Sequence, residues 1–154
     1  MDTINGIPAH PLLVHFVVVA VPIAAILAVV VVLWPRARTY LGVAPALIAL
    51  VTLIALPITT SAGESLAAKF PASEEIATHA DRGESVIYAV GPLFGLLVVW
   101  WLLFSPLVLD RVSLSAGVLM GARVVVGVAT VAAAAASLVL VILTGDSGAQ
   151  AVWG

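Results

Sequence analysis

Three histidines and a few carboxylates are the groups in this chain best suited to metal ligation or proton relay. His10 and His15 sit in His10-Pro11-Leu12-Leu13-Val14-His15-Phe16. Pro11 suits the first position of a helix, which places His10 at its cap and His15 about one turn, roughly 6 Å, further in. His79 lies in His79-Ala80-Asp81-Arg82-Gly83-Glu84, Glu64 follows Ala62-Gly63, and Asp146 follows Thr144-Gly145. There are no cysteines, so disulfides, thiolate zinc sites, iron–sulfur clusters and covalent c-type haem attachment are excluded. A metal or haem would have to be held by His, carboxylate or one of only two Met. Two imidazoles from facing helices can ligate a b-type haem, and a mixed His/carboxylate set suits a first-row transition metal. The candidate ligands are therefore His10, His15, His79, Glu64, Glu84 and Asp146.

The elements that position these groups are membrane helices. Charged residues make up 9% of the 154 residues and hydrophobic ones 63%, whereas about a quarter of a soluble domain is charged. This excludes a disordered segment and a nucleic-acid binder. Runs without formal charge cover 33 residues between Asp2 and Arg36, 25 between Arg38 and Glu64, 25 between Glu84 and Asp110, and 22 between Arg123 and Asp146. Each exceeds the roughly 20 apolar residues that cross a bilayer as helix. None alternates polar and apolar residues as a barrel strand would. The expectation is an all-α, integral membrane four-helix bundle, a single domain over 1–154. Its spans are expected at about 11–34, 43–61, 85–109 and 118–144, with an outer loop at about 62–84. The first span lacks preceding basic residues and is expected to be retained rather than cleaved.

Lys and Arg near the span ends, four on one side against two on the other, set the expected orientation, and the acids reinforce it without entering the rule. Arg36, Arg38, Arg111 and Arg123 with Asp110 give one side a formal charge of +3. Asp2, Glu64, Glu74, Glu75, Asp81, Glu84 and Asp146 with Lys69 and Arg82 give the other −5. Both termini and the 62–84 loop should then lie on the extracytoplasmic side of a bacterial inner membrane, with every His at that end.

Ser73 reads as an N-cap, with Glu74 and Glu75 in the first turn, for a helix running on to Leu109. On it Ile76, His79, Ala80, Gly83 and Ile87 share a packing stripe, with Glu75 one turn before His79. Gly91 with Gly95, Gly117 with Gly121, and the Ala132–Ala136 run are expected to let helices approach closely, within the bundle or toward a second membrane protein or copy. Pro22 and Pro57 should each free a carbonyl one turn earlier, with Thr59, Thr60 and Ser61 serving local backbone. No internal repeat of the transporter kind stands out. Gly145-Asp146-Ser147-Gly148 matches protease nucleophile signatures, but lacks their context, and reads as a helix stop followed by a polar turn.

The segments His10-Pro11-x-x-Val14-His15-Phe16, Ala62-Gly63-Glu64, His79-Ala80-x-x-Gly83-Glu84 and Thr144-Gly145-x-Ser147-Gly148-Ala149 with Val152-Trp153 resemble a bacterial four-helix membrane family, domain of unknown function 2231, over nearly the whole chain. The resemblance implies a four-span inner-membrane protein, and some relatives joined to cytochrome c-like domains imply redox work. Relatives often carry Pro where this chain has Val17, and many carry His where it has Asp146. That departure favours a single haem or one metal ion over two haems.

Three functions compete on the residues alone: a membrane redox or metal-binding protein, a non-catalytic accessory subunit docking through small-residue faces, and a small transporter or proton relay. The lack of charge at mid-membrane weighs against transport. The topology is directly testable. Reporter fusions at Gly154 and after Arg38 should report opposite sides, with Gly154 outside. Cytoplasmic activity at Gly154 would reverse the orientation of every candidate ligand.

Overall fold

The computed structural model describes residues 3–4 and 6–153. A two-residue antiparallel ladder, β1 (Thr3–Ile4) with β2 (Ile7–Pro8), leads into α1 (Ala9–Leu33). Then follow α2 (Pro35–Leu41), α3 (Ala44–Ala67), α4 (Glu74–Ser85), α5 (Ile87–Leu102), α6 (Pro106–Leu109) and α7 (Ala116–Trp153). Four helical stretches are long and apolar enough to cross a membrane: α1, α3, α4 with α5, and α7. Each packs on its sequence neighbour, and α7 returns to α1, closing an up-down-up-down bundle.

The bundle places many small side chains inside and many large aliphatic ones outside. On α1, Val17, Ala20, Val21, Ala24, Ala25, Ala28 and Val31 are buried at helical spacing, while Val18, Val19, Ile23 and Ile26 are exposed. This suits lipid, which is as apolar as leucine, so that tight van der Waals packing rather than hydrophobic exclusion holds the helices. One core layer joins Ala24, Ala28, Ala49, Leu93, Leu97 and Ala134. A second, nearer the histidines, joins Val17, Val21, Leu56, Val86, Val90 and Val141. The buried hydroxyls turn back on their own helices. Thr52 donates to Ile48 O (2.8 Å), Thr59 to Ala55 O (2.8 Å), Thr130 to Val126 O (2.7 Å) and Ser137 to Ala133 O (2.8 Å). Among the described residues no buried side-chain polar atom lacks a partner, as a medium without water demands.

Several expectations are corrected. The helix through His79 ends at Leu102, because Ser105, extended ahead of Pro106, starts a separate short helix. The connection between α3 and α4 is short, since α3 continues to Ala67 and α4 begins at Glu74, with Ser73 Oγ accepting from Ile76 N–H (3.2 Å). Gly145 does not stop α7, which continues to Trp153 with Asp146 as an ordinary helical residue. Without a left-handed residue, Gly145 is simply carried through the helix. The left-handed residue that does end a helix is Gly42 (φ +52°), whose N–H bonds Arg38 O after α2. Gly95, Gly117 and Gly121 have open space where a Cβ would stand, and Gly91 only an ordinary contact with Leu53.

The glycine that does permit close approach here is Gly127. A Cβ there would stand 3.1 Å from Trp100 Cζ3, while the Trp100 indole N–H donates to Val31 O (3.3 Å). Gly127→Leu should displace the indole and break that bond, costing about 1–3 kcal/mol as overpacking does. Thermal unfolding in detergent and a red-shifted tryptophan emission would show it; an unchanged melting temperature would place Trp100 elsewhere.

Candidate functional site

The bundle end that carries the histidines is built by two hairpins making the same contact. In the first, His10 at the start of α1 reaches the last turns of α3, and its Nδ1–H donates to Thr59 O (3.0 Å). In the second, His79 on α4 reaches the last turns of α7, and its Nδ1–H donates to Thr144 O (3.1 Å), with Ser147 Oγ at 3.4 Å. Ser147 itself donates to Thr144 O (3.0 Å), so its oxygen lone pairs face the imidazole donor. A carbonyl can only accept. Each Nδ1 must therefore carry the proton, and in the neutral ring Nε2 holds the free lone pair.

Two glycines make room for these rings. A Cβ on Gly63 would come 2.9 Å from His10 Cε1, and a Cβ on Gly148 would come 2.9 Å from His79 Cε1. Each glycine lies one turn beyond the threonine whose carbonyl accepts the imidazole. The helix thus offers an accepting carbonyl and a bare backbone next to it. The rings meet between the hairpins, with centroids 6.0 Å apart and planes at 77°. Both are half-buried and line a cavity of about 700 Å³. Its walls are largely apolar, including Val17, Leu56, Val86 and Val141, and Gly83 and Gly145 also line it.

The other candidates are placed differently. His15 lines the same cavity but is exposed, its Nδ1 bonded to Pro11 O on its own helix. The ring that meets His79 is His10, at the start of α1, and not His15, one turn further in. Glu64 and Glu84 are exposed, and so is Asp146, whose Oδ2 accepts from Gln150 Nε2 (2.9 Å). Among the described residues no three His, Asp or Glu gather as a metal-ion cluster would require. The structure brings together two imidazoles; it leaves the carboxylates around them and apart.

Thr59, Gly63, Thr144, Ser147 and Gly148 escaped the sequence reading as a set, although a signal was there. Thr59-x-x-Ala62-Gly63 and Thr144-x-x-Ser147-Gly148 share one pattern, and His10-x-x-x-x-His15 and His79-x-x-x-x-Glu84 share another. What occurs twice is one contact, a histidine bonded to a threonine carbonyl beside a glycine one turn on. Unequal separations, 49 residues from His10 to Thr59 and 65 from His79 to Thr144, conceal it in apolar, Ala- and Val-rich sequence.

This geometry is open to test by imidazole ¹⁵N NMR, which should show the Nδ1–H tautomer for His10 and His79. Alanine at Gly63 should disturb only His10 signals, and at Gly148 only those of His79. Each alanine gains up to about 1 kcal/mol of helix propensity but must displace a ring. A net loss of about 1–3 kcal/mol is expected, and a net gain would mean the rings do not dock there.

A search of the curated proteins and of the solved structures finds no match to this chain. The family comparison is positive, with a match over residues 6–154 to a family described as predicted membrane protein, DUF2231. With four membrane-length helices and a family match over nearly its whole length, this chain is a membrane protein of the DUF2231 family.

Proposed function

We propose that His10 and His79 hold one b-type haem at the extracytoplasmic face of a bacterial inner membrane, as part of a redox function. The observation that carries this reading is the imidazole pair itself: two rings from different hairpins, 6.0 Å apart, each with Nδ1–H bound to a backbone carbonyl and Nε2 left as the donor atom. His10 and His79 would hold the haem through Nε2, as imidazoles from facing helices hold a b-type haem. A carbonyl partner on the second ring nitrogen is the usual device for fixing tautomer and orientation of a ligating histidine. The residues fit a bare ion less well, because such sites take four or more ligands and only two imidazoles converge. A porphyrin would supply the remaining four. The cavity lies within the roughly 300–1,000 Å³ range of cofactor pockets, and the unsubstituted faces of Gly83 and Gly145 suit a flat group. The four arginines toward the opposite end, against Lys69 and Arg82 at this one, support its outward orientation.

In this reading the protein's part is positional. Thr59 and Thr144 carbonyls hold the rings, Gly63 and Gly148 admit them, and the apolar wall excludes water. The bound haem would supply one-electron chemistry. Protein expressed with sufficient haem and purified in detergent should show a Soret band and one haem per chain. His10→Ala and His79→Ala should each abolish it. His15→Ala and Asp146→Asn, at exposed positions outside the ring contact, should leave it within about the scatter of a neutral surface change. A colourless wild-type protein, or a Soret band surviving the double alanine variant, would sink the proposal.

A further inference from the structure

The opposite end of the bundle carries a second cavity, of about 530 Å³, whose chemistry is cationic. Arg38, on α2, lines it and is half-buried, with its guanidinium carbon 3.6 Å from the Phe104 ring centroid and 5.5 Å from that of Trp100. Arg123, from α7, packs on the same Phe104 ring at 4.0 Å and donates through Nε and Nη2 to Leu103 O (3.2 and 2.9 Å). The guanidiniums differ in one respect. Arg123 has its acceptor, whereas among the described residues the Arg38 guanidinium has ring contacts alone and neither a hydrogen bond nor an ion pair.

Five guanidinium donors held partly out of water beside a second cation call for an anion. Burial, and then the nearby Arg123, pull Arg38 below the ordinary arginine value, in keeping with an uncompensated charge. No Asp or Glu lines the cavity. Its wall does include Ser105, buried, whose Oγ accepts from Leu107 N–H (3.3 Å) and keeps its own hydrogen to donate. It also includes Pro45 and Ala46 in the first turn of α3, a helix without a side-chain cap, so the local backbone field adds to that of the arginine. Trp34, just before α2, and Tyr40, in its last turn, are exposed, as aromatic residues are at the headgroup level of a bilayer.

We propose that this cavity binds a phosphate group through Arg38, with the Ser105 hydroxyl as a second donor and the Trp100–Phe104 wall enclosing the guanidinium. The planar fork of arginine matches two phosphate oxygens at once. The aromatic flank favours the headgroup of an anionic phospholipid as the source, and a soluble phosphate would use the same donors.

Native mass spectrometry of the full chain in detergent, titrated with phosphatidylglycerol or phosphatidylcholine, tests this. Wild type should retain phosphatidylglycerol about fivefold more tightly, and Arg38→Gln should remove the preference. Arg36→Gln, an exposed arginine on the same helix, is the control and should keep it. Inorganic phosphate added in excess separates the sources: no competition marks the lipid headgroup, and displacement marks a site for soluble phosphate. If Arg38→Gln fails to fold, the wild-type comparison and the phosphate arm decide alone. Equal retention of both lipids with no effect of phosphate would overturn the proposal, as would loss of preference in Arg36→Gln equal to that in Arg38→Gln.

Discussion

Inside a bilayer no water is available to a polar group, and every part of this bundle follows from that constraint. The backbone answers it with helices. The buried hydroxyls answer it by donating to carbonyls one turn back, as Thr52, Thr59, Thr130 and Ser137 do. Such bonds cost the bundle nothing in helix-to-helix distance. The interior therefore takes Ala and small hydroxyl side chains alongside a few Val and Leu such as Val21, Val90 and Leu93, while many of the large aliphatic side chains are turned outward. In a soluble bundle that distribution would be inverted. In lipid the outward residues lose nothing, and close packing of the small ones supplies the cohesion.

Imidazoles cannot be satisfied in this way, because a ring is too long to turn back on its own helix while staying inside. His10 and His79 solve the problem between helices. Each spends its Nδ1–H on a carbonyl of the neighbouring span, and each needs a glycine one turn beyond that carbonyl to bring its Cε1 edge against the backbone. The helix carbonyls of Thr59 and Thr144 thus serve a donor from another segment, which ties the start of each hairpin to its end. His15, one turn deeper, bonds only to its own helix and remains exposed, which separates its role from that of the pair.

The two ends of the bundle are chemically distinct. The histidine end gathers the acids, yet Glu64, Glu84 and Asp146 stay in the open, and the cavity there has an apolar lining with two imidazoles. The other end gathers arginine against aromatic faces, Arg38 and Arg123 sharing Phe104. Between them the two apolar core layers contain no charge. A molecule polarised in this way along one axis carries different side-chain chemistry at its two ends.

Composition and charge spacing were enough to specify a four-span helical membrane protein, because bilayer thickness imposes a minimum length that few other folds need. The placement of His79 on a packing face was also legible, since helical periodicity is local and Ser73 marks where the count begins. Which histidines meet was not. His15 sits deeper than His10, and depth along one helix says nothing about rotation relative to the next. The joining partners are main-chain carbonyls, identical at every residue, so no side-chain type announced Thr59 or Thr144. Glycine was ambiguous for the same reason. Gly117 and Gly121 have the familiar spacing and touch nothing, while Gly63, Gly127 and Gly148 are in close contact with rings. Only the tertiary structure supplies the ring that makes an absent Cβ matter, and only it carries Asp146 through Gly145 as part of a continuous helix.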